Sequence, residues 1–298
     1  MNNEFDLMNP MGPPWLMYPE ISNGSIGWRM GYGEHYMCYF IEWLEFLTES
    51  QQKKYQQMFP EPKQWNGFYD EDNSQINSEE YFFQHKNYWI EFWGKGGKVV
   101  YNANNLIQDL ENNKEVKYLF FWGHQSSKDG DITMSCLSQW WMSEFRVDLS
   151  TYCCMEQFMM AEKARLFGDK EIEKKIMQCK DQKIIKALGR EVHNFDEVIW
   201  NIVKYSIVLK GNYHKFLQND NLRRFLLSTD DKVLVEASPY DGVWGVKMSA
   251  NDKAIEHPMN WNGENLLGFA LMEVRSELRK VCENYDRVNW RLLEVKFD

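Results

Sequence analysis

The sequence predicts an α+β fold dominated by helix. Several long stretches carry apolar residues three and four positions apart, the period of a helix with one buried face. Only two short runs, 118–122 and 232–236, have the apolar and β-branched or aromatic character of strands. The two kinds of element alternate too irregularly for a doubly wound parallel sheet, in which strand and helix follow each other in turn. A chain of 298 residues, 44% hydrophobic and 26% charged, can bury a substantial core without disulfide or metal staples and has room for two ordinary domains.

Charge divides the chain. Residues 1–116 hold 17 acidic and 8 basic side chains and the remainder hold 27 and 26, so almost all of the net charge of −10 lies in the first part. A boundary is expected near residue 116, separating an acidic, aromatic-rich and mostly helical N-terminal region, 1–116, from a second domain over 117–298. This composition offers no overall basic face for gripping long nucleic acid by its phosphates, although it is compatible with a local basic cleft. The six cysteines, at 38, 136, 153, 154, 179 and 282, have neither the spacing of a zinc site nor the density of a disulfide scaffold. The six histidines do not cluster at ligand spacing, so no metal and no cofactor is expected. The N-terminus lacks a basic segment followed by an apolar one, and no apolar run reaches the length of a membrane span; a cytoplasmic protein without export signal or membrane anchor is expected.

In chain order, Asn9-Pro10 and Gly12-Pro13-Pro14 delay the first helix. Residues 24–33 are rich in glycine and aromatics but lack dinucleotide-fingerprint spacing, and tight aromatic packing is expected there. Tyr36, Phe40, Trp43 and Leu47 predict an amphipathic helix over 34–58, ended by Phe59-Pro60. Residues 70–80 read as a polar loop, 81–93 as buried aromatics, 94–98 as a flexible turn and 102–114 as polar chain between domains. The run 118–122, closed by Gly123, reads as a buried strand. A polar loop over 125–131 follows, and Ser150 or Thr151 is the expected cap of a helix over 152–167. Two helices are expected around 170–188 and 194–209, the second with Phe195, Val198, Ile199, Ile202 and Tyr205 on one face. Residues 222–227 add a short helix and 232–236 a strand ending in Glu236. Residues 262–265 are expected to cap a last helix carrying Leu267, Leu271, Val274, Leu278 and Val281.

The helix around 152–167 holds two charges in unusual places. At 100° per residue, Glu156 and Lys163 fall within roughly 20° of each other, flanked by Met159, Met160 and Phe167, so both interrupt an apolar surface. Their Cα atoms stand about 10 Å apart, too far for an i,i+4 ion pair, yet helical side chains lean toward the N-terminus, which brings the lysine back toward the acid. An amine and a carboxylate flanking a small polar substrate have this spacing. So do two long side chains that reach a helix edge or meet partners from elsewhere.

Six motifs in order resemble the NADAR domain family, also called YbiA-like. They are Phe120-Phe121-Trp122-Gly123; Leu137-Ser138-Gln139; Glu156 followed seven residues later by Lys163; Gly189-Arg190; Val235-Glu236 with Asp241-Gly242-Val243-Trp244-Gly245; and Asn265-Leu266-Leu267-Gly268. The resemblance covers 117 to about 280. It departs from the family at Gln139, where asparagine is usual, and at Lys247, where a second glycine often follows Trp-Gly; the segment up to Asn265 is also longer than in compact members.

The resemblance implies cleavage of an N-glycosidic bond to a ribose-derived sugar. In such a reaction Glu156 stabilises positive charge at the anomeric carbon and moves a proton, and Lys163, desolvated by Met159, Met160 and Phe167, is the candidate nucleophile for a Schiff-base intermediate. Trp122, Trp140 and Trp244 can stack on a base or close over ribose, with Gly123, Ser138 and Gln139 beside them. Arg190 can take one phosphate, and Asn265 with the last helix N-terminus the other. Glu236 and Asp241 are candidates for holding ribose hydroxyls or positioning Arg190. Each of these side chains also has an ordinary structural use. The expected substrate carries ADP-ribose on a modified base, chiefly guanine in DNA or RNA. Free ribosylaminopyrimidine phosphates of flavin synthesis and a non-catalytic ADP-ribose binding module are the alternatives.

Overall fold

The structure, a computed structural model, describes residues 9–69 and 100–294 apart from 126, 128 and 130. The loop, aromatic run and turn expected over 70–98 lie outside the described residues. Helices α1 (Pro14–Met17), α2 (Tyr32–Phe46), α3 (Glu49–Met58) and α4 (Ala103–Glu111) precede the first strand, β1 (Tyr118–Phe121). A short antiparallel hairpin, β2 (Phe145–Val147) and β3 (Ser150–Tyr152), leads into α5 (Met155–Leu166), α6 (Lys170–Gln178), α7 (Gln182–Arg190), α8 (Glu197–Gln218) and α9 (Asp220–Ser228). Strand β4 (Val233–Glu236) and helix α10 (Leu266–Val281) follow, giving the helix-rich α+β fold that the periodicities predict.

β1 and β4 pair in parallel, Phe121 opposite Glu236, so the whole run from β2 to α9 is their crossover. The first three residues of β4 are buried, and the strand lies against α10. That contact is close because Gly268 has no side chain: a Cβ there would stand 2.1 Å from the Leu234 carbonyl oxygen. Central to the fold is α8, which packs on both α5 and α10 and is buried almost without interruption from Val203 to Leu217. Gly211 lets Phe158 and Met155 of α5 reach its backbone.

Residues 9–69 rest on the same core. Trp15 packs on Trp65, and Trp28 on Tyr18 and Trp65, as the aromatic content of that region predicts. Lys63 N–H donates to Glu277 on α10, and Ser22 N–H donates to Asp148 at the hairpin turn. Among the described residues no helix is long and apolar enough to cross a membrane.

Several elements differ from the sequence expectation for local reasons. The helix over 34–58 is two helices, because Thr48 and Gln51 form a reciprocal capping box that ends one and starts the next. Residues 102–114 are not plain linker; Asn102 caps α4. Ser150 and Thr151 pair in β3, so α5 begins only at Met155, with Cys154 at its N-cap. The stretch 170–190 holds two helices, each opened by an aspartate cap, Asp169 and Asp181. On α8 the expected face is shifted: Val198 is 70% exposed and Phe195 lies before the helix, packed on Phe167.

Asn265 is also corrected. It stands at φ 55° and its side chain caps no N–H of α10; the amide instead accepts from Glu236 N–H at 3.0 Å and donates to the Leu234 carbonyl at 3.0 Å. Asparagine tolerates the left-handed region better than most residues, so the chain turns into α10 while the side chain pins β4. Asn265→Ala leaves two buried backbone groups without partners and is expected to cost roughly 2–4 kcal/mol in urea unfolding, more than an ordinary cap is worth.

Candidate active site

Two carboxylates lie at the centre of the site. Glu156, in the first turn of α5, is 2% exposed; Glu236 ends β4. Burial is the main cause that lifts Glu156 to about 7, with Asp241 adding to it, while Lys186, a hydrogen bond from Trp140 and Arg190 pull it back. Burial likewise lifts Glu236 to about 8, with Asp241 and Glu156 adding to it and Lys186 opposing. Three acids and two bases therefore share one electrostatic neighbourhood. In each glutamate one buried oxygen, Glu156 Oε1 and Glu236 Oε2, has no hydrogen-bond partner among the described residues.

The loop before the hairpin holds Glu156 in place. Lys215, buried in α8, donates from Nζ to the carbonyls of Cys136 at 2.7 Å and Ser138 at 3.0 Å. Ser138 Oγ then accepts from Trp140 N–H, the Gln139 carbonyl accepts from Glu156 N–H at 2.9 Å, and Trp140 Nε1 donates to Glu156 Oε2 at 3.1 Å. On the other side, Gln182 of α7 donates to the Trp140 carbonyl, and Lys186 Nζ stands 5.7 Å from the centre of a Trp140 ring. His124 packs against the same indole at 5.3 Å.

Lys163 takes a different position from the expected one. Its Nζ donates to the Gly189 carbonyl at 2.7 Å and lies 4.1 Å from the Phe195 ring centre and 5.6 Å from that of Trp200. Burial, helped by the Arg190 charge, lowers its pKa from the ordinary lysine value. Two rings near the amine thus come from the segment before α8 and from α8 itself, neither of which is expected there from the sequence, and Phe167 packs on the first of them. Met160 has another use: its sulfur would be 2.0 Å from a Cβ at position 189, so glycine is what lets α7 close on α5. Glu156 and Lys163 do not bond each other. Arg190 is the charge that acts on both.

Of the other expected residues, Trp122 is 55% exposed and its ring is 6.2 Å from that of Tyr240, itself 83% exposed. Gly123 turns the chain at φ 84°. Ser138 and Gln139 are buried, and the Gln139 Oε1 has no partner among the described residues. Asp241 accepts from the N–H groups of Val243 and Trp244, which fixes the Trp244 backbone in the loop after β4, where Val246 N–H donates to the Glu236 carbonyl. Arg190 is exposed.

The phosphate role expected of Asn265 and the α10 N-terminus does not fit. Asn265 is fully buried and its amide is committed to β4, while the N–H groups of Leu266, Leu267 and Phe269 donate to Val243, Trp244 and Asn265 carbonyls. Sequence reasoning missed Gln182, Lys186 and Tyr240. The four-residue spacing of Gln182, Lys186 and Arg190 on one helix face was the available signal for the first two.

The NADAR domain profile matches residues 120–279. The chain belongs to the NADAR domain family. This NADAR protein is 44% identical over 167 residues to an N-glycosidase of Acanthamoeba polyphaga mimivirus, a match spanning 54% of the chain and 96% of that relative. It is 35% identical over 138 residues to protein irg-1 of Caenorhabditis elegans, across 46% of the chain and 65% of that relative. The NMR structure of Escherichia coli YbiA aligns with 55% of the NADAR protein and 86% of its own chain, at 26% identity and a TM-score of 0.45.

A raised carboxylate destabilises the fold at high pH. The unfolded chain releases the Glu156 proton near 4.5 and the folded chain holds it to about 7, so stability falls as pH rises through that window, by on the order of 3 kcal/mol. Glu156→Gln is therefore expected to be more stable than wild type in urea at pH 8, by about 1–3 kcal/mol, with the gain gone at pH 4.5; an equal gain at both pH values contradicts the assignment.

Proposed function

We propose that this chain is an N-glycosidase that removes ADP-ribose from a modified base through an imine on Lys163. The observation that carries the reading is the pairing, on one helix, of a buried glutamic acid that keeps its proton near neutral pH with a lysine whose ammonium form is disfavoured. The similarity to a viral N-glycosidase supports the reaction class.

In this reading the unprotonated Lys163 amine attacks the anomeric carbon. The N-glycosidic bond breaks, its electron pair goes to the base nitrogen, and Glu156 supplies the proton that the leaving base needs. A neutral amine retains two N–H bonds, so it can keep the Gly189 carbonyl while its lone pair turns to the sugar. Glu156, left ionised, takes a proton from the attached nitrogen and passes it to the ring oxygen as the C–O bond breaks and the C=N bond forms, which opens the sugar. Water then adds to the imine carbon and loses a proton to Glu156, which returns it to the nitrogen; the C–N bond breaks as the new hydroxyl gives up its proton to form C=O, and the Lys163 amine and ADP-ribose are released.

The preference for a base in nucleic acid rests on the rim. Trp122 and Tyr240 are exposed neighbours able to stack on an unpaired base, and Arg190 and Lys186 supply positive charge beside it in an otherwise acidic chain.

The test is borohydride trapping on two substrates, an ADP-ribosylated guanine oligonucleotide and a free ribosylaminopyrimidine phosphate. Wild type is expected to form a covalent ADP-ribose adduct on the peptide containing Lys163, and Lys163→Ala to form none. Glu156→Gln should turn over about 10²- to 10⁴-fold more slowly. An adduct that persists in Lys163→Ala overturns the nucleophile, and turnover of the pyrimidine alone overturns the substrate.

A further inference from the structure

The two residues that join β3 to α5 are both cysteines, and their sulfurs stand 3.9 Å apart, within reach of an S–H···S hydrogen bond. They differ in exposure: Cys153 is partly open to solvent and Cys154 is fully buried. Both stand at a bend between strand and helix that backbone and side-chain hydrogen bonds stitch in place. The Cys153 N–H donates to Gln157 Oε1 at 2.7 Å and its carbonyl accepts from Ser143 N–H at 3.0 Å; Cys154 is the N-cap of α5, at φ −164° and ψ 169°. Glu156 is two residues further on.

We propose that Cys153 and Cys154 form a peroxide-reactive dithiol, with Cys153 the attacking sulfur and Cys154 the resolving one. The site stands apart from the glycosidic reaction and needs none of its residues. Its ligand class is a small hydroperoxide. The Cys153 thiolate attacks one peroxide oxygen, the O–O bond breaks, and the other oxygen leaves with a proton as water or alcohol, so that sulfur is oxidised to sulfenic acid and peroxide is reduced. Cys154 then gives its proton to the sulfenic oxygen and attacks the Cys153 sulfur; water leaves and the S–S bond forms.

Local chemistry favours this order. The hydrogen bond between the two thiols is the main cause that holds Cys153 down to about 7, with Lys180 helping and burial and Glu144 opposing, while the same hydrogen bond followed by burial pushes the Cys154 thiol up. The thiol of the partly buried residue is thus the nucleophile and its fully buried neighbour keeps the proton that resolution consumes. Closing the pair brings the sulfurs from 3.9 Å to about 2 Å, which the extended backbone at the α5 N-cap has to follow. Oxidation is therefore expected to disturb the Gln139–Glu156 hydrogen bond and slow turnover until the bond is reduced.

The experiment treats the full reduced chain with hydrogen peroxide, with and without dimedone, and maps the products by peptide mass. Wild type is expected to lose two hydrogens within the tryptic peptide 147–163 and to regain them with dithiothreitol. Cys154→Ser should stop at a Cys153 sulfenic acid that dimedone captures, and Cys153→Ser should give neither product. The exposed Cys38 is the internal control: faster oxidation at Cys38 than in 147–163 overturns the proposal, as does a disulfide from Cys153 to Cys179. The wild-type map decides even if a variant fails to fold.

Discussion

A buried and a half-buried glutamate within electrostatic reach of each other are what the surrounding structure has to accommodate. Both would lose their protons well below neutral pH in water, and here burial and the nearby Asp241 charge lift them to about 7 and about 8, with Glu156 also raising Glu236. Such an arrangement is intrinsically unfavourable. It persists because separate elements hold the two residues: the Trp140 indole bonds the Glu156 carboxylate, and Asn265 pins the strand backbone at Glu236. Lys186 and Arg190, projecting from α7, moderate the repulsion without neutralising it.

The fixing groups form a layer behind the site. Lys215 sits in α8 with its ammonium on two loop carbonyls, and burial brings it down to about 8. Gly189 lets α7 approach α5, which places its carbonyl on the Lys163 amine. Gly268 lets α10 approach β4, so that Asn265 reaches both Leu234 and Glu236. In each case the residue type follows from geometry: a long cation, or the absence of a side chain, where nothing else fits.

Periodicity made α10 and the short helix α9 legible, and the apolar runs gave β1 and β4 nearly to the residue. The motif order located Glu156, Lys163, Glu236 and Asp241, whose roles remain those proposed above. The break at Leu47 had a readable signal in Thr48 and Gln51, but the apolar spacing across it was continuous and masked it. Asn265 was misread because its sequence context matches a helix cap, whereas its left-handed backbone sends the side chain to a strand 29 residues earlier. Lys186 was invisible because nothing local distinguishes a lysine facing buried acids from one facing water. Only the folding of α7 onto Trp140 makes that distinction.

The central claim, that the two glutamates retain protons into the neutral range, is most directly tested by NMR titration of side-chain carboxyl carbons in selectively labelled protein. Glu156→Gln and Glu236→Gln assign the two signals. The account predicts midpoints near 7 and 8 in wild type, both moving upward in Lys186→Met. Midpoints for both in the ordinary range near 4.5, unmoved by the loss of Lys186, would contradict it.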